Sequence, residues 1–370
     1  MKVIHVFKIT GVSGSENHLL TLLPALKNKG LDIIVIMMEN PKLSIGDFYQ
    51  KLKSVGIKVY RVKIKFNLSI TVFRKIKNIL KTENPDIVHT HLIHGDLYGI
   101  LTAKSSGVKN IISSKHNDDD FRNKFHIKYL NKFLNKRLSK VIVISEALKK
   151  FSIEIEKIRI DKIVTIRYGL DNFELRLKNE NLREHLGYRD DEYIFGIIAR
   201  LTEQKGHIYL LEAFKNIVKK HKKARLLIVG DGVLRKQLET IVKDDNIENF
   251  VQFLGRREDT ADIYNAIDAF IHPSLWEGFG LVFLEAMSFA LPVIATNVSA
   301  IPEVVEKNRT GLLVKPKNSE ELFVAMEKFI NDKDMAKKYG KMGKIRVKDK
   351  FNVETMVERT KEVYLKVLNG

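Results

Sequence analysis

Short runs rich in Val and Ile alternate with segments of helical period along most of the chain, and no other feature restricts the fold as much. Runs near 2–7, 31–37, 57–63, 86–89, 109–113, 140–144 and 163–167 read as strands, with helical segments at 16–29, 44–55, 69–82, 94–105, 121–138 and 146–152 between them. The segment 169–192 is polar and has no strand pattern. The alternation then restarts, with strands near 193–199, 225–229, 250–253, 268–271, 292–295 and 311–314 and a last amphipathic helix over 352–368. Strands that alternate with helices form parallel sheets, so the fold class expected is α/β, in two doubly wound domains. The boundaries expected are 1–170, a linker at 171–192, a second domain at 193–350 and a terminal helix at 351–370. In such sheets ligands bind at the carboxyl ends of strands, and a cleft between the domains is the default site.

The chain has no cysteine, which excludes disulfides, thiolate metal sites and Cys nucleophiles and fits a reducing compartment. "MKVIHVFKIT" reads directly as a strand rather than a signal peptide. The longest apolar runs, such as 33–38, fall far short of a bilayer span. The expected location is therefore cytoplasmic, in solution or on a membrane surface. Net charge is +19 and unevenly placed: residues 1–170 hold 31 Lys/Arg against 14 Asp/Glu, and residues 171–370 hold 33 against 31. A compositional bias would act on both halves, so the first half is expected to face something anionic.

Four stretches carry candidate chemistry. In "KITGVSGSENHLL" (8–20), Gly11 and Gly14 allow a tight turn into a helix whose first N–H groups can bind an anion. An ordinary strand-to-helix turn explains it equally well. In "IIARLTEQKGHIYLLEAF" (197–214), Arg200 and Lys205 flank a helix start, as suits a diphosphate, although surface cations are usually just solvated. In "LLIVGDGVLRKQLE" (226–239), Asp231 either caps a helix or borders a site at a strand end. In "HPSLWEGFGLVFLEAM" (272–287), Glu277 and Glu285 stand eight positions apart around Gly278, Phe279 and Gly280. They read as a catalytic pair, a sugar clamp or solvated loop ends. Gly280 and Leu281 open a helix and offer N–H groups to a phosphate.

Together with "NPDIVHTH" (84–91), "VISEALK" (143–149) and "IRYGLD" (166–171), these stretches resemble retaining glycosyltransferases of the family-4 type, the glycosyl transferases group 1, over nearly the whole chain. The resemblance implies the GT-B fold: two Rossmann-like domains facing across a cleft, with the C-terminal helix crossing back to the N-terminal domain. It implies that Arg200 and Lys205 hold the donor diphosphate, with Gly14 and the backbone at 280–281 also on phosphate. Glu285 would bind the ribose, and Glu277 the donor-sugar hydroxyls. Arg256, in "LGRR" (254–257), would lie at the base-binding edge, and His116, in "SSKHNDDD" (113–120), would approach the donor sugar. The catalytic set is then Glu277, His116, Arg200 and Lys205. The donor set adds Gly14, Asp231, Arg256, Gly278, Phe279, Gly280, Leu281 and Glu285. Two departures from the family pattern are Val-Ser between the first-loop glycines and Ala300 where glycine is frequent.

The activity implied is metal-independent hexosyl transfer with retention, from a nucleotide sugar and with no cofactor. UDP-sugars are the family's commonest donors, so a UDP-sugar is expected. The acid run 118–120 invites a metal, but consecutive acids on a loop are usually solvated. The acceptor expected on the basic half is a lipid-linked or polysaccharide-precursor hydroxyl. The stretches 61–81 and 121–140 each hold seven Lys/Arg and no acid, and Phe121, Phe125, Tyr129 and Phe133 recur at helical spacing. That stripe reads either as core or as a face lying on an anionic membrane. The rival readings are a non-catalytic partner subunit, an NAD-dependent oxidoreductase, disfavoured by the missing dinucleotide fingerprint, and a basic nucleic-acid-binding protein. No nucleic-acid-binding motif is present, so nucleic acid is not an expected partner.

Overall fold

A strand buried on both faces has no polar side to show, and β1 (Lys2–Ile9) is written that way, with Val3, Ile4, Val6, Phe7 and Ile9 all buried. The computed structural model describes residues 1–9, 11, 14–40, 46–65, 68–117, 125–171, 173–179 and 181–370. These fall into two compact units, one of residues 1–169 with 352–370 and one of residues 170–351.

The first unit has β1, β2 (Asp32–Glu39), β3 (Lys58–Lys63), β4 (Ile87–His91), β5 (Asn110–Lys115), β6 (Lys140–Val143) and β7 (Ile163–Thr165). They form one parallel sheet of order β3-β2-β1-β4-β5-β6-β7. The order reverses direction between β1 and β4, which leaves a crevice at their carboxyl ends. Leu19, Leu22, Leu23 and Leu26 of the helix Gly14–Asn28 cover one face. Met356, Val357, Val363, Tyr364 and Val367 of the last helix, Val353–Asn369, join the same core, so the C-terminal helix belongs to the first unit. The other face holds a buried ion pair. Lys115 lies 2.7 Å from Asp96, which also accepts from Thr90 and Ser113 at 2.5 and 2.6 Å. Asp96 begins a π-helical turn, Asp96–Ile100. Burial opposes its charge, but Lys115 and the three hydrogen bonds hold the carboxyl below its usual range.

The second unit has β8 (Tyr193–Ile198), β9 (Ala224–Val229), β10 (Val251–Gly255), β11 (Ala269–His272), β12 (Val293–Thr296) and β13 (Gly311–Val314). They too are parallel, in the order β10-β9-β8-β11-β12-β13, with the reversal between β8 and β11. Part of the polar stretch 171–192 folds into short helical turns, Phe173–Arg176 and Leu182–His185. Phe173 anchors it by meeting Tyr264 and Phe289 edge-on at 6.0 and 6.2 Å. A polar average hid that single aromatic anchor.

Candidate active site

The carboxyl ends of β8, β9 and β11 gather the charged candidates of the second unit. The loop after β8 carries Arg200 and, in a short turn Glu203–Lys205, the second cation. Gly230, after β9, has φ +133°, and a Cβ there would lie 1.9 Å from the Ala199 carbonyl, so only glycine lets these loops close together. Asp231 is exposed, and its carboxylate accepts from the N–H of Gly232 at 2.7 Å. The following helix, Arg235–Asp244, starts after Leu234 with no side-chain cap, so Asp231 is not its N-cap.

Glu277 does not project freely. Its carboxylate lies 2.5 Å from the Lys205 ammonium and 3.6 Å from His272 Nε2. Burial alone would raise its pKa, but Lys205 and His272 outweigh burial and hold it down at about 2. The solvated-loop reading therefore fails for Glu277. Arg200 is exposed and has no carboxylate partner among the described residues.

Gly280, at φ +84°, precedes the helix Leu281–Ser288 with no side-chain cap, so the first N–H groups of that helix have no side-chain acceptor at Gly280. Glu285 sits one turn into this helix, buried, and accepts from the Tyr264 hydroxyl at 3.0 Å. Burial pushes its pKa up to about 7. Two glutamates eight positions apart thus have opposite electrostatics, one paired and one desolvated. Phe279 turns inward against Phe351 at 5.7 Å, which leaves its backbone as the part able to meet a ligand. Arg256 is exposed directly beyond β10. Around Lys205 and Glu277, side-chain atoms of Thr202, His207, His272 and Ser274 are buried without a hydrogen-bond partner among the described residues.

In the first unit Gly14 opens the helix Gly14–Asn28, and a Cβ at Gly11 or Gly14 would meet nothing within 4 Å. Thr10, Val12, Ser13, the acids 118–120 and Phe121 lie outside the described residues, as does the Phe125 side chain. His116 follows β5 and is 5% exposed. Both its nitrogens are engaged, Nδ1 with the Tyr168 hydroxyl at 2.6 Å and Nε2 with His91 Nδ1 at 3.1 Å. His18 stacks on Tyr168 at 4.1 Å. The sequence reading missed this surround. The pair of histidines two apart on β4 was its available signal, since that spacing puts both on one sheet face. Of the aromatic stripe, Tyr129 and Phe133 are 59% and 48% exposed, with Arg137 over the Phe133 ring at 3.6 Å. The core reading of these two residues is therefore wrong. Among the described residues no helix is long and apolar enough to cross a membrane.

Known proteins supply the remaining comparison. The family described as glycosyl transferases group 1 matches residues 178–346, and glycosyltransferase family 4 matches residues 12–172. The chain is 27% identical to the Escherichia coli UDP-Gal:alpha-D-GlcNAc-diphosphoundecaprenol alpha-1,3-galactosyltransferase, over 99% of this chain and 97% of that one. It is 30% identical to the uncharacterized glycosyltransferase MJ1059 of Methanocaldococcus jannaschii, over 78% and 81% of the two chains. Anabaena HepE, solved in complex with UDP and glucose, shares the fold with a TM-score of 0.87 at 21% identity, covering 99% of this chain and 100% of that chain. With two parallel sheets, matches to both halves and this degree of kinship, the chain belongs to the family-4 glycosyltransferases and has their GT-B fold.

Proposed function

We propose that the protein moves a hexose, with retention and without a metal or cofactor, from a UDP-sugar to a hydroxyl of a lipid-linked or polysaccharide-precursor acceptor at the cytoplasmic face of a membrane. The observation that carries the reading is the Lys205–Glu277 pair, set at the β8/β11 reversal among buried polar groups with unused hydrogen-bonding capacity. A ligand rich in hydroxyls and phosphate oxygens satisfies such groups. The Escherichia coli relative's name supports a UDP-linked donor and a diphospho-lipid acceptor.

In this scheme the acceptor oxygen forms a bond to the anomeric carbon on the face from which the diphosphate leaves. The bond from that carbon to phosphate oxygen breaks, and the leaving phosphate takes the acceptor's proton. Arg200, Lys205, the Gly14 backbone and the N–H groups at 280–281 stabilise the charge that develops on the diphosphate. Glu277 positions the sugar rather than attacking it, and its pairing orients the Lys205 ammonium. Glu285 receives the ribose hydroxyls, Arg256 borders the base, and His116 contacts the transferred sugar. Asp231 and the backbone of Gly278 and Phe279 complete the donor set.

The basic first unit supports the membrane part. Leu68 and Ile70 are 75% and 67% exposed within the cationic stretch 61–81, and Tyr129 and Phe133 are exposed within the second, 121–140. Each Lys or Arg near an anionic surface contributes roughly 1 kcal/mol. A thermal-shift panel of UDP, GDP, ADP and TDP with their sugars tests the donor. UDP compounds should raise Tm most, and no shift with any of them sinks the reading. Co-sedimentation with phosphatidylglycerol vesicles at low salt tests the surface, and a protein that stays in the supernatant there does not use it.

A further inference from the structure

Parallel register sets His5 of β1 beside His89 of β4, and His91 beside Ser114 of β5. Side chains alternate along strands, so His5, His89, His91 and Ser114 share one face. Tyr364 meets that face from the last helix. We infer that Ser114–His89–Tyr364–His5–His91–His116–Tyr168 is one directional hydrogen-bonded chain that locks all four imidazoles into a single shared tautomer, with Tyr364 as its central positioning residue. The inference deepens the role proposed for His116 and, for its effect on transfer, rests on that reading.

His89 Nε2 is 2.8 Å from Ser114 Oγ, and His89 Nδ1 is 2.7 Å from the Tyr364 hydroxyl. That hydroxyl is 3.4 Å from His5 Nε2, and His5 Nδ1 is 2.9 Å from His91 Nε2. His91 Nδ1 meets His116 Nε2 at 3.1 Å, and His116 Nδ1 meets the Tyr168 hydroxyl at 2.6 Å. Each nitrogen-to-nitrogen link joins an Nδ1 to an Nε2, and Tyr364 joins His89 Nδ1 to His5 Nε2.

A neutral imidazole has one N–H and one acceptor, and a hydroxyl has one proton to give. Only two arrangements fill every link and also place the Tyr364 proton, because a Tyr364 hydroxyl that accepted from both His89 and His5 would leave its own buried proton with no acceptor among the described residues. If Tyr168 donates to His116, all four rings are Nε2–H and the chain ends in donation to Ser114. If Ser114 donates to His89, all four are Nδ1–H and the chain ends in donation to Tyr168. No mixture both fills the chain and satisfies the Tyr364 proton, so one ring cannot switch without leaving a buried donor unpaired. Burial pushes the His5 pKa down to about 3, and burial with the neighbouring rings holds His89 and His91 well below the usual value, which keeps these three rings neutral. Ser114 is 3% exposed, so the chain stores a direction rather than conducting a proton to water. A ligand hydroxyl that takes the place of Tyr168 on His116 Nδ1 meets a donor in one direction and an acceptor in the other. The tautomer thus selects how His116 can hold it.

Ligand nitrogens of His5, His89 and His91 also lie within 4.8 Å of one another, as a three-imidazole cation site requires. All six nitrogens of these rings have partners in the chain, so a cation would have to break it.

The test uses the full chain labelled with 15N-histidine at neutral pH, with long-range 1H–15N correlations reporting each ring's tautomer and single His→Gln variants assigning the signals. The expected result is four neutral rings of one tautomer. Mixed tautomers, a charged ring among the four, or zinc that binds tightly and replaces these N–H signals overturns the inference. Tyr364→Phe keeps the aromatic ring and removes the central link. It should free His89 from the other three, so that at least one ring changes or averages its tautomer. kcat for sugar transfer should fall by about tenfold, with the donor KM nearly unchanged. An unaltered tautomer pattern in that variant overturns the inference. Uniform tautomers in a protein that transfers no sugar uphold the chain and sink the transferase role of His116.

Discussion

The two units bury polar groups in opposite ways. In the first, four imidazoles lie inside the core, each satisfied by the next, while His18 beside them keeps a buried Nδ1 with no hydrogen-bond partner among the described residues. In the second, a charged pair and several unpartnered polar atoms stand on loops and helix starts at the ends of strands. A satisfied network gains little from a ligand, whereas unfilled hydrogen-bonding capacity is what a ligand can reward. One unit therefore holds direction, and the other holds hydrogen-bonding capacity that a ligand can fill.

The comparison can be strained where the first unit does bury charge. Lys115→Ala removes the counter-charge of the buried Asp96 carboxylate, leaving only the Thr90 and Ser113 hydroxyls on it, and should cost about 3–5 kcal/mol in urea unfolding. An unchanged midpoint would mean that this pair is not integral to the first unit. Glu277→Gln strikes the second unit's pair instead. Transfer should drop by about 10²–10³-fold with the fold retained, although Tm should fall somewhat because the depressed pKa of Glu277 marks a stabilising pair. Loss of fold with loss of activity would erase the contrast between the units.

A smaller effect comes from Glu285. Ribose hydroxyls need its carboxylate as acceptor, and burial holds its pKa at about 7. UDP affinity should therefore rise roughly tenfold from pH 6 to pH 8, with a proton released on binding. Its contribution to stability runs the other way: the proton retained above the unfolded pKa is lost as pH rises through 7. Calorimetry that shows flat affinity across this window removes Glu285 from the ribose. The smallest effect expected is none: EDTA should leave transfer unchanged, and a loss restored by a divalent cation would place a metal in the mechanism.

Sequence patterns reveal these two regions unequally. The strands are legible because two-face burial leaves runs such as "IIVIMM" (33–38) with no polar interruption. The Glu277–Glu285 segment is legible because glycines punctuate it. The imidazole chain is not, because its members sit on separate elements and become neighbours only through strand register. Its central hydroxyl arrives from Tyr364, 275 residues beyond His89. The inward turn of Phe279 and the outward face of Tyr129 and Phe133 were equally hidden, since helical spacing gives a period and not a direction.

The C-terminal helix imposes an order in time. The second unit lies between the two parts of the first, so the ribosome makes residues 170–351 before the closing helix. At ordinary elongation rates that is roughly 10–40 s during which the part of the first sheet's face covered by the last helix stands open. Imidazoles along that face can hydrogen-bond water throughout the wait, as a valine-lined surface cannot. The polar core is therefore also suited to an unfinished chain.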